Sequence, residues 1–397
     1  MSIDVSTKSP AQHIESLVLN YLLPLGWFFV LTGMFWAWDR THYHKMFYIF
    51  LAVPTLGVLI AQRKWLKTLV CNPLFLAFLT FSAYTLLSIT WSDTENSVGS
   101  LLKRPLYIAM LLFAAGIISL NSPGQLERCT RLAAIFAALA AGFSLAYFLY
   151  LYPSFAGRRL VGYGALYNPL LTAHVFGAFA AFWLASWFQA QSALNPLPLV
   201  CLTILGLAIF ATGSRTPLIG LAAALGWLLV VSDRRRGLMA VAVIVLVLTG
   251  IALVYPEAIT QRGVSFRPAI WMESLRQISE HPWLGHGFDS PMTVILPGLE
   301  PLADTHNIEL GVLYAGGMVG LALWMTLNGA AMYFCWTYRR HTGVTLAATW
   351  LIFGFASGLT EGSAFMSRPK EHWFLIWIPM ALVYGQSLIH WKRTRAA

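Results

Sequence analysis

Charge is scarce in this sequence. Asp, Glu, Lys and Arg make up 11% of its 397 residues, against 58% apolar and 14% aromatic. Too little polar surface remains for a water-soluble globule, and the composition is that of a polytopic membrane protein. Cysteine is nearly absent as well. Cys71, Cys129, Cys201 and Cys335 are scattered without metal or redox spacing, so neither a disulfide nor a metal site is expected. No Asp-x-Asp pair occurs, which leaves a divalent cation without evident ligands. No Walker motif, Ser-His-Asp ordering or Gly-x-Gly-x-x-Gly stands in a credible context. Internal repeats and low-complexity segments are missing too. The net charge of +10 is basic enough for nucleic acid. Most of the excess sits in short loops between apolar runs, where orientation in a membrane explains it better, so no nucleic-acid partner is expected.

What is present is apolar length. Runs between charged breaks predict twelve spans near 17–37, 46–61, 73–91, 105–120, 131–152, 170–189, 198–213, 217–232, 238–255, 307–335, 343–360 and 372–390. The reading is an all-α polytopic protein, a single transmembrane domain over 1–397, with a long outer loop over 256–306 between spans 9 and 10. The polar residues Met1 to Gln12 lead into the first span rather than into a cleaved signal peptide. An even number of spans puts both termini on one side. If that side is the cytoplasm, the inner loops carry Lys8, Arg63, Lys64, Lys67, Arg128, Arg131, Arg234, Arg235, Arg236, Arg339, Arg340, Lys392, Arg393 and Arg395. The four cysteines then fall at or near the reducing side.

Orientation does not explain the cations left outside: Lys103-Arg104, Arg158-Arg159, Arg215, Arg262, Arg267, Arg276, Arg368 and Lys370. Their placement suggests a site. The plainer alternative is solvated loop charges paired with Glu257, Glu273, Asp289 and their neighbours. Arg215, in the short break Gly213-Ser214-Arg215-Thr216-Pro217, is expected at membrane depth or just above it, where charge is expensive and usually functional. Arg158-Arg159 lie in a loop with Gly157, Gly162 and Gly164, where backbone NH groups can approach an anion.

The segment from Ser265 to Gly320 is the longest polar interruption. Pro268 suits a first helical turn, and Ile270, Trp271, Leu275 and Ile278 recur at helical spacing until His281-Pro282. A short amphipathic helix along the outer surface is expected, with Arg267 at its N-terminal edge. Gly285-His286-Gly287 reads as a turn. His306 stands at the head of the tenth span, and Gly311, Gly316, Gly317 and Gly320 behind it permit close helix contact. Guanidinium groups donate paired hydrogen bonds to phosphate oxygens and suit a diphosphate leaving group. An imidazole suits removal of a proton from a sugar hydroxyl near neutral pH, and nearby arginines are expected to favour its neutral form. A hydrogen-bonded structural histidine is the ordinary alternative.

These residues resemble a known family. His306-Asn307 followed by Gly317 and Gly320 resembles the signature after the large periplasmic loop of bacterial O-antigen ligases. Arg267 to Trp271, with Pro282, Gly285 and Gly287, resembles the shared core of the wider O-antigen ligase and polymerase superfamily. Gly213-Ser214-Arg215 and the stretch Leu87-Ser88 to Trp91-Ser92 are similar to the same family. The resemblance implies a GT-C-type architecture in the bacterial inner membrane. It implies a metal-independent, inverting glycosyltransferase without cofactor, moving an O-antigen glycan from undecaprenyl diphosphate to a sugar hydroxyl of lipid A-core at the periplasmic face. His306 is then the catalytic base, and Arg215 and Arg267 engage the diphosphate. Arg159 is added from the loop it occupies, Arg158, Lys103 and Arg104 from location, and Asn307 as the neighbour of the base. The partners implied are the lipid-linked donor, the lipid A-core acceptor and membrane lipids. An O-antigen polymerase or a protein O-oligosaccharyltransferase shares much of the pattern. A lipid-linked sugar transporter or flippase is the reading from another class, but the motif residues gather at helix ends rather than at midplane.

Overall fold

The computed structural model describes residues 10–153, 157–254, 266–296 and 300–396. Expectations on Asp4, Lys8, Pro256, Glu257, Arg262, Ser265 and the side chains of Arg393 and Arg395 lie outside the described residues. Among those residues the chain is helical, and extended pairing is confined to an antiparallel bridge between Val294 and Leu302. Lipid enforces this outcome. A backbone polar group without a partner is costly in hydrocarbon, and a helix satisfies its own.

The helices in order are α1 (His13–Phe35), α2 (Arg40–Ala61), α3 (Arg63–Val70), α4 (Pro73–Trp91), α5 (Val98–Asn121), α6 (Gln125–Leu151), α7 (Pro169–Gln189), α8 (Pro196–Thr212), α9 (Thr216–Val231), α10 (Arg234–Val254), α11 (Arg267–Ile278), α12 (Ile308–Thr337), α13 (Thr342–Gly358) and α14 (Glu371–Lys392). Eight of them, α1, α2, α4 to α7, α12 and α14, are long and apolar enough to cross a membrane. Shorter apolar helices are α8, α9 and α13. Each of the twelve apolar stretches read from the sequence falls on one of these helices. Three starts share one device: Asn72, Asn168 and Asn195 accept from the amides of Leu74, Leu170 and Leu197, with proline next in sequence. The asparagine caps an orphan amide, and proline at the first helical position has no amide to orphan.

α14 and α7 form the interior, with 94% and 83% of their apolar windows buried. α7 packs against α8, α9 and α13, and α14 against α5 and α13. Outward faces are apolar too: Leu139 and Phe143 on α6 and Val200 and Leu207 on α8 are more than half exposed, as suits contact with lipid. Buried tryptophans hang the α13–α14 connection in place. Trp377 donates to Phe365 O (2.8 Å), Trp350 to Phe374 O (2.7 Å) and Trp373 to Ser367 O (3.3 Å).

The short helix expected from Pro268 onward is α11. It packs on α12 through a small separate core of Ile270, Ile278, Met292, Val294 and Tyr314. Leu275, expected on its apolar face, is 48% exposed, and Ser274 is buried instead with its hydroxyl on Ile270 O. The face that meets α12 runs through 270, 274 and 278, one position around the helix from 271 and 275.

The glycines behind His306 do more than let helices approach. At Gly317 (φ 60°, ψ −164°) α12 is broken. The carbonyls of Tyr314 and Ala315 accept from the amides of His286 and Gly287 at 2.8 and 2.9 Å. The amides of Met318 and Val319, their usual helical partners, donate to Pro282 O (2.9 Å) and Trp283 O (3.2 Å). The 282–287 turn is thus inserted into the helix, and every opened bond is remade. A Cβ on Gly317 would lie 2.3 Å from Trp283 O, and one on Gly285 2.5 Å from Gly317 N. On the other side Gly316 and Gly320 face the Tyr84 ring of α4, whose hydroxyl donates to Gly316 O (2.8 Å). The Ser88–Ser92 stretch clamps the same turn: Ser88 Oγ accepts from Phe288 N (3.0 Å) and Ser92 Oγ donates to Phe288 O (2.8 Å).

Gly317→Ala is expected to lower the thermal midpoint of the detergent-solubilised protein, since backbone strain at such φ/ψ alone costs about 1–3 kcal/mol. Gly329→Ala, whose added Cβ meets nothing within 4 Å, is expected to leave the midpoint unchanged or slightly higher. Equal midpoints for the two would remove the break at Gly317 as a determinant of stability.

Candidate functional site

The site begins with a strained turn. His306 has φ 48°, the left-handed region that a residue with Cβ rarely occupies. Hydrogen bonds hold it there. His306 N donates to Asp304 Oδ1 (2.8 Å), Thr305 Oγ1 donates to Asn307 O (2.6 Å), and Asn307 N donates to Thr305 Oγ1 (3.2 Å). Asn307 caps α12 by accepting from Leu310 N (2.9 Å), and its Nδ2 donates to Leu359 O (2.9 Å) just past the end of α13. The head of α12 and the C-terminal end of α13, distant in sequence, are thereby joined. Gly311 completes the contact, because a Cβ there would lie 2.7 Å from Ser363 O.

This junction sets Glu361 opposite His306. Glu361 is 4% exposed. Its Oε1 lies 3.4 Å from His306 Nδ1, and its Oε2 lies 3.3 Å from Arg267 Nη2 at the start of α11. Burial alone raises a carboxyl's pKa. The hydrogen bond with His306 and the charges of His306 and Arg267 outweigh it and hold Glu361 below its ordinary range. The His306 imidazole is held above its ordinary value. The Glu361 hydrogen bond raises it, burial opposes, and the charges of Glu361 and Asp304 outweigh the lowering by Arg267. The expectation that arginines favour the neutral imidazole is therefore corrected. Arg267 is present, but a carboxylate stands between it and the ring.

His174, buried on α7, ties in the next element. Its Nδ1 lies 2.7 Å from Leu170 O and must carry the proton, so Nε2 accepts from Thr216 Oγ1 at 3.1 Å. The same imidazole is within electrostatic reach of Glu361 and Arg267. Thr216 opens α9 immediately after Arg215, which is exposed. Arg159, exposed in the loop before α7, donates from Nε to Thr212 O (2.7 Å), and Leu160 N donates to Ala211 O (3.0 Å). Arg159 and Arg215 therefore share the α8–α9 turn, in which Gly213 takes φ 62°. The structure joins His306 and Arg267 through one carboxylate, and links that pair to the Arg215 turn through His174 and Thr216.

Other expected residues are otherwise engaged. Arg104 is paired with Asp289 at 2.6 Å and sits over the Phe288 ring. Burial raises the Asp289 pKa, but the bonds from Arg104, Asn96 and Thr94 hold it below the usual carboxylate range. Arg158 lies over the Tyr152 ring, Lys103 is exposed on α5, and Arg276 pairs with Glu273 and Glu280. The plain reading of outer cations paired to loop acids is thus realised for Arg104 and Arg276. Among the described residues no group of three or more His, Cys, Asp or Glu is placed to hold a metal ion.

Sequence reasoning missed Glu361, His174 and Thr216. A signal existed for Glu361. It is a lone carboxylate at the end of an apolar run, in Thr360-Glu361-Gly362-Ser363, with no charged neighbour before Arg368. The same logic singled out Arg215. His174, inside an apolar helix, reads equally well as a buried structural residue.

Arg104→Met would leave Asp289 half-buried without its counter-charge. An expected loss of about 1–3 kcal/mol should appear as a lower thermal midpoint than that of Lys103→Met, an exposed position expected within about 0.5 kcal/mol of wild type. Because the Asp289 pKa is depressed, the pair's contribution is full above the ordinary carboxylate range and disappears as pH falls through the lowered value. Indistinguishable midpoints near neutral pH would mean the pair contributes nothing.

Comparison with known proteins bears on the same residues. Residues 199–325 match the family model described as O-Antigen ligase, a stretch that holds Arg215, Arg267 and His306 but neither Arg159 nor Glu361. An O-antigen ligase of Pseudomonas aeruginosa is 57% identical over 381 residues, covering 95% of this chain and 94% of that protein. With such identity running nearly end to end through both proteins, the chain belongs to the O-antigen ligase family.

Proposed function

We propose that this chain, as a glycosyltransferase of that family, ligates an O-antigen glycan carried on undecaprenyl diphosphate to a sugar hydroxyl of lipid A-core. The carrying observation is that His306 and Arg267 meet on the two oxygens of one buried carboxylate. A proton acceptor and a diphosphate-binding cation are then held at a fixed separation. With His306 Nδ1 turned to Glu361, Nε2 is the nitrogen left to receive the acceptor's hydroxyl proton. The hydroxyl oxygen attacks the anomeric carbon from the face opposite the diphosphate. As the new C–O bond forms, the bond to the phosphate oxygen breaks and undecaprenyl diphosphate leaves with the electron pair, so the anomeric configuration inverts. Arg267 with Arg215 and Arg159 takes up the charge that develops on the leaving group, in the place a divalent cation would fill. Arg158, Lys103 and Asn307 stand behind these three as weaker contributors.

The same reading places the protein in the bacterial inner membrane with twelve crossings and both termini cytoplasmic. Its site then faces the periplasm. Support comes from the helix positions and from the site residues gathering where α7, α9, α11 and α12 begin and where α8 and α13 end. The triplet Arg234-Arg235-Arg236, by contrast, opens α10 at the opposite end of α9 from Arg215.

His306→Ala is expected to abolish capping of lipopolysaccharide while membrane insertion is normal, and a well-expressed variant that still caps would exclude His306 from the chemistry. Arg215→Ala and Arg267→Ala are each expected to lower kcat/KM by about 10- to 100-fold, the worth of one charge-assisted bond, whereas Arg276→Ala should cost less than about threefold. Equal tolerance at all three would reduce them to surface charges. Transfer reconstituted in detergent is expected to survive excess EDTA, and loss restored by Mg²⁺ would refute the metal-free mechanism.

A further inference from the structure

Glu361 is the feature of the site that the sequence reading left without a role, and it lies beyond the stretch that matches the family model. It is a buried carboxylate with one oxygen on an imidazole and the other on a guanidinium, and it is suspended by architecture with no other evident purpose. Three tryptophan indoles hold the backbone on its C-terminal side, Asn307 binds Leu359 two residues before it, and Gly311 makes room for Ser363 two residues after it. That construction holds a buried carboxylate against a half-buried imidazole, which is not the setting of a solvated surface ion pair.

We infer that Glu361 is a positioning residue for His306: by accepting at Oε1 from Nδ1 it fixes the ring orientation and tautomer that leave Nε2 free for the acceptor hydroxyl. The inference rests on His306 being the base. Without a carboxylate on Nδ1, the proton is free to reside on either nitrogen and the ring to turn, and a ring with hydrogen on Nε2 cannot take the acceptor's proton. After transfer the ring is an imidazolium, and the Glu361 charge beside it stabilises that state. Oε2 serves a second purpose. Holding Arg267 from the same side chain sets the donor's cation and the acceptor's base in one rigid frame.

The titratable groups around the ring agree with this assignment. Glu361 comes from the α13–α14 connection, Asp304 from the turn before α12, Arg267 from α11, His174 from α7 and His372 from α14. Glu361 is the group among them that meets Nδ1 in a hydrogen bond. Asp304 instead accepts from the His306 backbone amide. It shapes the turn and does not bind the ring.

The test compares full-length wild type with Glu361→Gln, Glu361→Asp and His306→Ala, using lipid-linked glycan and lipid A-core in detergent. For Glu361→Gln we expect kcat to fall about 100-fold, donor KM to change less than about threefold, and the acid limb of the kcat profile to move to lower pH. Glu361→Asp should recover part of kcat. A second readout does not need turnover: carbethoxylation of His306, followed by mass spectrometry against pH, reports the neutral imidazole. Its midpoint should lie above the ordinary imidazole range in wild type and drop in Glu361→Gln. If both the profile and the labelling midpoint stay at wild-type positions in Glu361→Gln, Glu361 is structural and the inference falls, whatever its activity. If His306→Ala retains transfer, the base assignment itself fails. Inactive His306→Ala together with wild-type kcat in Glu361→Gln overturns the positioning role alone.

Discussion

The end of this bundle that carries the candidate site depends on a backbone exchange at Gly317. Two helical hydrogen bonds of α12 are opened and four are made to the 282–287 turn. In a medium without water an opened helix must be re-satisfied or it does not persist. The exchange therefore fixes the polar loop to the apolar bundle by the strongest directional forces available there. α11 follows, because it is joined to the turn and packs on α12 through Ile270, Ile278 and Tyr314. Arg267, at the start of α11, inherits its position from that packing. A glycine deep in a membrane helix thus determines where an arginine stands at the surface.

The second constraint is electrostatic. A carboxylate as enclosed as Glu361 is tolerated because cationic partners surround it. Those partners arrive from the turn before α12 and from α11, so charge compensation draws two elements to the α13–α14 connection. Paired in this way, the carboxylate is depressed and the imidazole raised. The ion pair is present at pH values between the two, lost on the acid side as Glu361 protonates and on the alkaline side as His306 deprotonates. An imidazole raised in this manner gains proton affinity from its partner, and the field of neighbouring arginines alone would have lowered it.

Legibility divided along the same lines. Helix positions were readable because an apolar run has one satisfactory fold in hydrocarbon, and each of the twelve runs read from the sequence falls on a helix. α11 was readable from Pro268 and its periodicity, although the buried face was misjudged by one position at Leu275, since only packing on α12 selects Ser274. Arg215 was readable as a charge in a short break between apolar runs, His306 and Arg267 from their outer placement and motif resemblance, and the family match covers all three. Arg104 was read by the same signal, yet its charge is spent on Asp289, 185 residues away. Local sequence marks a charge as unusual. It does not say which partner the charge will find.

By itself, then, the order of residues determined that this is a helical membrane protein, where its helices lie, and which cations and which histidine stand out against apolar surroundings. Those properties are local: hydrophobic length, caps and breakers act within a few residues of where they are written. Tertiary structure alone decided that Glu361, 55 residues beyond His306 and 94 beyond Arg267, would bind both, and that Gly317 would open a helix to receive a loop. Contacts over such separations depend on how helices pack, and packing is settled by the shapes and charges of all the helices at once.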